Sequence, residues 1–122
     1  MPTPTLICDD SAMARKQIIR AIPAQWDADY TMASNGKEAL DAIRAGLGEL
    51  VFLDLTMPEV DGFEVLQTVH DENLKSLVIV VSADIQPQAQ QRVMQLGALA
   101  FLRKPVDPQA LFETMKTCGL IL

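Results

Sequence analysis

The stretch Leu50–Asp54 (LVFLD) consists of four consecutive apolar residues followed by an aspartate. A continuous apolar run of this length is typical of a strand in a parallel sheet that is covered on both faces. Three more short runs have the same form, and a polar side chain follows each within two residues. They are Leu6–Cys8 before Asp9 and Asp10, Leu77–Val81 before Ser82, and Ala100–Leu102 before Lys104. Because ligands of such sheets bind at the carboxyl ends of the strands, we expect these polar side chains to meet in one place.

Strand and helix patterns alternate five times along the chain. Strands are predicted over Thr5–Cys8, Asp29–Ala33, Leu50–Leu53, Leu77–Val81 and Ala100–Arg103. Helices are predicted over Ser11–Ile22, Lys37–Ala45, Gly62–Asp71, Gln88–Leu96, and Pro108 to about Cys118. In the first helix the apolar residues near helical spacing are Met13, Ile18, Ile19 and Ile22. Five such units predict an α/β fold, a doubly wound five-stranded parallel sheet with five helices in a three-layer sandwich. The second strand is short and mixed, which indicates an edge position.

The bulk composition fits one domain over residues 1–122, because 49% of the residues are apolar. The net charge is −6 and the ten basic residues are scattered, which disfavours direct nucleic-acid binding. No apolar stretch is long enough to span a membrane, and the N-terminus lacks the features of a secretory signal, so we expect a cytoplasmic domain. The apolar end Gly119–Leu122 favours a domain cut from a longer chain, with an output domain beyond residue 122.

Three of the expected strand-end residues are carboxylates. Asp9 and Asp10 follow the first strand, and they lie beside Asp54 if the first and third strands are neighbours. Carboxylates packed together repel one another and raise each other's pKa, so a cluster of this kind is tolerated mainly where a cation neutralises it. Oxygen ligands that leave room for water favour Mg²⁺, or Mn²⁺, over zinc.

The other two strand-end residues suit phosphoryl chemistry. Lys104 can form a structural ion pair with Asp54 or a counter-charge to a phosphoryl oxygen, and Ser82 can cap a helix or donate to that same oxygen. Asp54 would act as a carboxylate nucleophile that becomes an acyl phosphate, which requires no general base. His70 lies in the third predicted helix and is interpreted as a surface residue.

The motifs in this order resemble those of the receiver domain of two-component response regulators. The matching segments are Cys8–Ser11, Asp54–Gly62, Val81–Ala83 and Lys104-Pro105. The resemblance covers nearly the whole chain and implies the flavodoxin-like strand order 2-1-3-4-5. It implies a phosphorylation-dependent signalling switch rather than an enzyme, one that catalyses only its own phosphorylation and slow autodephosphorylation. The implied partner is a sensor histidine kinase or a histidine phosphotransfer protein. No association with a membrane is expected.

The resemblance also assigns roles to the site residues. Asp54 would be the phosphoacceptor. Asp10, Asp54 and the backbone carbonyl of Thr56 would bind Mg²⁺ directly, and Asp9 would act largely through water. Ser82 and Lys104 would contact the phosphoryl oxygens. The bond between Lys104 and its proline is expected to be cis.

Switching and phosphate lifetime are implied at further positions. Phosphorylation would draw Ser82 inward, and Phe101 would move into the space left behind; the alternative is that Phe101 is simply a core aromatic. The change would be transmitted to an output domain or effector at the surface of the fourth helix, fifth strand and fifth helix. Thr56 and Asp84 occupy the positions that tune phosphate lifetime, and Thr56 indicates slow to moderate self-dephosphorylation.

Two alternative functions share parts of this pattern. A hydrolase of the haloacid-dehalogenase type also forms an aspartyl phosphate, but it requires a second aspartate two residues after the nucleophile, where this chain has Thr56. A pseudo-receiver, which is an interaction domain that no longer takes phosphate, usually lacks one of the acidic or lysine positions, and none is lost here.

Overall fold

A five-stranded parallel sheet with five helices forms the structure. The computed structural model describes residues 2–83 and 86–122. The strands are β1 Thr3–Cys8, β2 Ala28–Ala33, β3 Leu50–Leu53, β4 Leu77–Ser82 and β5 Ala100–Arg103. The helices are α1 Ala12–Ala21, α2 Gly36–Arg44, α3 Gly62–Asp71, α4 Pro87–Gln95 and α5 Pro108–Thr117. The order across the sheet is β2-β1-β3-β4-β5 and all neighbours are parallel, as the sequence predicted.

Helices cover the sheet on both faces and bury two separate cores. Residues of α2, α3 and α4 pack on one face, and this cluster, which includes Val51 and Leu53, is called the first core. Residues of α1 and α5 pack on the other face with Leu50 and Phe52, and this cluster is called the second core. Consecutive side chains of a strand point to opposite faces, so β3 must be apolar at every position to serve both cores.

Side-chain caps fix where most helices begin. Ser11 accepts a hydrogen bond from the amide of Ala14 at 3.2 Å, so it is the N-cap of α1 and not its first residue as predicted. Asn35 and Asp61 cap α2 and α3 in the same way. These caps place the beginning of each helix directly after a strand end or a loop of the candidate site, because a capping oxygen binds the otherwise unpaired amides of the first turn.

The first helix differs from its predicted amphipathic pattern. The sequence predicts Met13 on the apolar face, but it is 70% exposed, whereas Ile18 is buried in the second core. Five residues turn a helix by about 140°, so these two side chains cannot share one face. The buried face of α1 is therefore narrower than the sequence predicted and does not include Met13.

The loop between β3 and α3 approaches the sheet closely at Gly62. The amide of Gly62 donates to the carbonyl of Leu55 at 3.0 Å. A Cβ placed on Gly62 would lie 2.7 Å from the Leu55 Cα and would overlap the carbonyl oxygen of Asp54. The missing side chain lets α3 begin directly against the end of β3, which holds the loop after Asp54 in place.

We predict that Gly62→Ala destabilises the protein by about 1–3 kcal/mol, because the added methyl group forces the backbone after Asp54 to move. Urea unfolding measures the change in free energy. The control is Gly46→Asn, at a position with φ of 82° and no atom within 4 Å of a Cβ, where asparagine tolerates the backbone and little change is expected. Equal losses in the two variants would contradict the close-approach argument.

Candidate functional site

Strand register brings the acidic residues together. Cys8 of β1 pairs with Leu53 of β3, and the amide of Asp54 donates to the carbonyl of Cys8 at 3.0 Å. The residues that follow these strand ends are therefore neighbours. Each of Asp9, Asp10 and Asp54 offers one carboxylate oxygen, and these oxygens lie within 4.8 Å of one another. The predicted convergence of the three carboxylates is confirmed by this geometry.

Asp9 is buried and forms hydrogen bonds through its amide, its carbonyl and its carboxylate. It has no exposed surface, and its amide donates to the carbonyl of Ala33 at 3.1 Å. Its carboxylate accepts one hydrogen bond from the amide of Ser11 at 2.9 Å and another from the Lys104 ammonium at 2.7 Å. Its own carbonyl accepts from Arg15 Nη1 at 2.7 Å. Asp9 therefore serves as a fixed anchor for the β1–α1 loop.

Lys104 reaches into the cluster from the end of β5. Its Nζ lies 2.7 Å from an Asp9 oxygen and 3.4 Å from Asp54 Oδ1. The sequence predicted a pairing with Asp54, and the structure adds a closer pairing with Asp9. The backbone amide of Lys104 also donates to the carbonyl of Ser82 at 2.9 Å, so the ends of β4 and β5 are joined beside the acids. The bond between Lys104 and Pro105 is cis, as predicted.

Burial and charge shift the pKa of the groups in the cluster. Burial, and then the negative charge of Asp9, raise the pKa of Asp54, while Lys104 and the backbone N–H of Thr56 act in the opposite direction. Burial works to lower the pKa of Lys104, but the hydrogen bond to Asp9 and the charges of Asp54 and Asp9 outweigh it, so that pKa is raised. Asp54 is thus a buried carboxylate whose negative charge is only partly compensated.

The donor atoms fit a hard divalent cation. Three carboxylate oxygens converge, and of the three acids Asp10 is exposed, which leaves the cluster open to solvent on one side. The nearby thiol of Cys8 is not available as a thiolate, because burial and the charges of Asp9 and Asp54 raise its pKa to about 12. An oxygen-only set of this kind suits Mg²⁺ or Mn²⁺ and not zinc.

Four further residues were predicted to act at or near the site: Ser82, Thr56, Phe101 and Asp84. Ser82 is buried at the end of β4, next to the β5 end. Thr56 is exposed in the loop after Asp54. Phe101 is half-buried and packs against the first core. This placement fits a core aromatic, and the switch role of Phe101 stays a prediction. Asp84 lies outside the described residues.

Arg15 and the contact between Cys8 and Met57 are features of the site that the sequence did not predict. Met57 is buried, and its sulfur lies 3.2 Å from the Cys8 sulfur, which ties the loop after Asp54 to the end of β1. Arg15 lies one helical turn after the cap Ser11. Side chains of a helix point back toward its N-terminus, so a long basic residue at this spacing is directed at the β1 end. That spacing was the available signal.

Comparison with known protein families decides the family of this chain. The model of the response regulator receiver domain matches residues 5–116. The chain belongs to this family. Among curated relatives of the receiver domain, the polar-differentiation response regulator DivK of Brucella anthropi is 31% identical over 119 residues, covering 96% of each chain. A protein-glutamate methylesterase/protein-glutamine glutaminase of Treponema denticola is 35% identical over 105 residues, which cover 82% of this chain.

Solved receiver structures superpose closely on this one. The receiver domain of the response regulator NarL from Mycobacterium tuberculosis has a TM-score of 0.85 at 27% identity, covering 98% of this chain and 97% of that one. A chain of the CheX–CheY–BeF3–Mg²⁺ complex from Borrelia burgdorferi has a TM-score of 0.84 at 27% identity, covering 96% and 90%.

The relatives differ in how much of their own length this receiver domain spans. It spans 96% of DivK but only 28% of the methylesterase. Among residues 2–83 and 86–122, no helix has the length and apolar character needed to cross a membrane.

We predict that Asp54→Asn makes the protein more stable at pH 7 in a buffer with EDTA. The pKa of Asp54 is higher in the folded chain than its ordinary value of 3.8, so the folded state binds the proton more tightly. That stabilising contribution is complete below about pH 3.8 and is lost as the pH rises through the folded-state pKa, so ionised Asp54 costs stability at neutral pH.

Thermal unfolding across a pH series measures this effect. The gain from Asp54→Asn is expected to shrink as the pH falls toward 4. The control is Asp41→Asn, which removes one carboxylate from an exposed position of α2. A variant less stable than the wild type at pH 7 would show that Asp54 is favourably paired and not strained.

Proposed function

We propose that this receiver domain is a phosphorylation-dependent switch that accepts a phosphoryl group on Asp54. The observation that carries the proposal is the placement of Asp54: a carboxylate that is 4% exposed, 3.4 Å from the Lys104 ammonium, and in reach of two further acids at an opening to solvent. A nucleophile that is already a carboxylate needs no base. Positioning and charge neutralisation are then the whole of the catalytic task.

The residues around Asp54 have separate roles in this proposal. An Asp54 oxygen attacks phosphorus and the donor's leaving group departs, giving an acyl phosphate. Lys104 turns from its two carboxylates to a phosphoryl oxygen, and Ser82 at the neighbouring strand end holds another. Because Lys104 is fixed by Asp9 before any phosphate arrives, its positive charge is already in place at the site.

The cofactor is proposed to be Mg²⁺, with Mn²⁺ as a substitute. Asp10, Asp54 and the carbonyl of Thr56 would hold it, and Asp9 would act largely through water, since its carboxylate is already bound to Ser11 and Lys104. A divalent cation supplies positive charge that neutralises the phosphoryl oxygens. The presence of Mg²⁺ and BeF3 in the Borrelia burgdorferi complex, to which this chain is similar, supports this assignment.

The proposed output of the switch runs through Ser82 and Phe101. Movement of Ser82 toward the phosphoryl group frees space near the first core, and Phe101, which is only half-buried there, turns into it. The surface of α4, β5 and α5 would present this change to an output domain or effector. An output domain after residue 122 stays a prediction, as does the cytoplasmic location. The proposed phosphoryl donor is a histidine kinase or a histidine phosphotransfer protein.

We predict that acetyl phosphate and Mg²⁺ add one phosphoryl group to the wild-type protein, seen in the intact mass. Asp54→Asn and removal of Mg²⁺ by EDTA should each abolish the adduct, whereas the control Asp41→Asn should form it as the wild type does. An adduct that survives in Asp54→Asn would place the site elsewhere. No adduct in any variant would favour the pseudo-receiver, and turnover of free phosphomonoesters would favour the hydrolase.

We also predict that the phosphorylated protein loses its phosphate slowly to moderately, over minutes or longer, because Thr56 lacks a carboxylate or amide able to orient the attacking water. Thr56→Glu should shorten the lifetime, while Glu59→Gln, at an exposed position of the same loop, should not. The measurement is the decay of the mass adduct after acetyl phosphate is removed. Loss within seconds in the wild type would contradict the role given to Thr56, and Asp84 would then be examined by Asp84→Asn.

A further inference from the structure

We propose that Arg15 is a positioning residue of the cation site, because it holds the peptide between Asp9 and Asp10 in the orientation that turns Asp10 toward Asp54. The inference rests on the proposed function and names a residue that this function had not included. Arg15 does not contact the phosphoryl group in the proposal; it acts through the backbone of the β1–α1 loop.

The contact between Arg15 and the Asp9 carbonyl lies one residue beyond the last strand pairs of β1. The last pair of β1 and β2 is Cys8 with Ala33, and the last pair of β1 and β3 is Cys8 with Leu53. The carbonyl of Asp9 lies beyond both ladders. Within residues 2–83 and 86–122, the hydrogen bond found for this carbonyl comes from the guanidinium of Arg15, at 2.7 Å. Arg15 therefore replaces the missing strand partner.

The orientation of the Asp9 carbonyl also sets the orientation of the Asp10 amide. A peptide unit is planar, so the Asp9 carbonyl and the Asp10 amide turn together. The Asp9 amide is bonded to Ala33 on one side, and the Arg15 contact sets the plane on the other. Together they determine the direction in which the chain reaches the Asp10 Cα.

Asp10 needs this control more than its neighbours do. Asp9 and Asp54 are buried, at 0% and 4% exposure, so packing restricts their carboxylates. Asp10 is exposed, so packing restricts its side chain much less. Its carboxylate oxygen is nevertheless within 4.8 Å of the other two. Its position therefore depends more on the backbone, and Arg15 hydrogen-bonds to the carbonyl directly before Asp10.

Charge alone predicts the opposite effect from positioning, which makes the inference testable. Arg15 carries a positive charge near the acids, so removing only its charge would make the site more negative and strengthen cation binding. Removing a contact that orients a ligand weakens cation binding, typically by tenfold or more. The direction of the change in affinity therefore separates the two roles.

The experiment titrates the protein with Mn²⁺ and follows the free ion by electron paramagnetic resonance. We expect Arg15→Met to bind Mn²⁺ about tenfold more weakly than the wild type. The control Lys16→Met removes the same charge from the next residue of α1, which is exposed, and should bind as tightly as the wild type or more tightly. Arg15→Lys should recover most of the affinity, since the contact uses one nitrogen of the guanidinium and lysine keeps a donor and the charge.

A second readout uses the rate of adduct formation with acetyl phosphate. In Arg15→Met the Mg²⁺ concentration at half-maximal rate should rise about tenfold, while the rate at saturating Mg²⁺ should return close to that of the wild type. Acetyl phosphate is used so that the rate does not depend on the binding of a protein phosphoryl donor. Thermal unfolding in EDTA shows which variants fold, and Arg15→Gln, whose amide is too short to reach, replaces Arg15→Met if the latter does not.

Each outcome decides the matter. Unchanged or tighter Mn²⁺ binding in a folded Arg15→Met would overturn the positioning role while leaving the proposed function intact. A lower melting temperature of Arg15→Met with unchanged Mn²⁺ affinity would show that Arg15 stabilises the fold and does not position the cation site. A wild-type protein with no saturable Mn²⁺ binding and no adduct would overturn the proposed function, and this inference with it.

Discussion

The ammonium of Lys104 between the carboxylates of Asp9 and Asp54 is the interaction on which the site depends. Two buried carboxylates at adjacent strand ends repel each other, and their burial is tolerated only with a compensating charge. Lys104 supplies it from the end of β5, which is separated from β3 in the sheet by β4. Its ammonium lies 2.7 Å from Asp9 and 3.4 Å from Asp54. One side chain thereby fixes the relative positions of three strand ends, and the phosphoryl chemistry proposed for Asp54 requires all three.

The asymmetry of these two distances has a chemical consequence. Asp9 receives the shorter contact and a further hydrogen bond from Ser11, so its charge is well satisfied. Asp54 receives the longer contact, and its pKa is raised by burial and by the charge of Asp9. The carboxylate proposed to react is thus the one held less tightly. An incoming phosphoryl group can draw Lys104 toward Asp54 without leaving Asp9 unpaired, because Ser11 still binds it.

The sheet and its strand ends were predictable because they follow from short-range pattern. A continuous apolar run that contributes to two cores, such as that of β3, indicates a buried parallel strand. The residue after the run must then lie at the carboxyl end of the sheet, where ligands bind. Contacts between distant elements were less accessible. Whether Lys104 meets Asp9 or Asp54 depends on register, strand twist and side-chain reach, and no spacing in the chain encodes those. Arg15 was less predictable for a different reason. Its spacing from Ser11 directs it toward the end of β1, but its partner is a backbone carbonyl, a group that every residue carries. The exposure of Met13 shows that the apolar stripe of α1 is narrower than the sequence predicted.

The acid cluster is therefore held from two directions by cations that act on different atoms. Lys104 binds the carboxylates and offsets their charge, whereas Arg15 binds the carbonyl of Asp9 and leaves the carboxylates alone. This division is consistent with the proposed cation site, because one of the two cations leaves the carboxylate oxygens uncovered. If both cations paired with the acids, their side chains would occupy the oxygens that a divalent ion needs. Because Arg15 donates its hydrogen bond to the backbone, its side chain does not cover the carboxylates, and in the proposed role it leaves the exposed Asp10 open to a ligand.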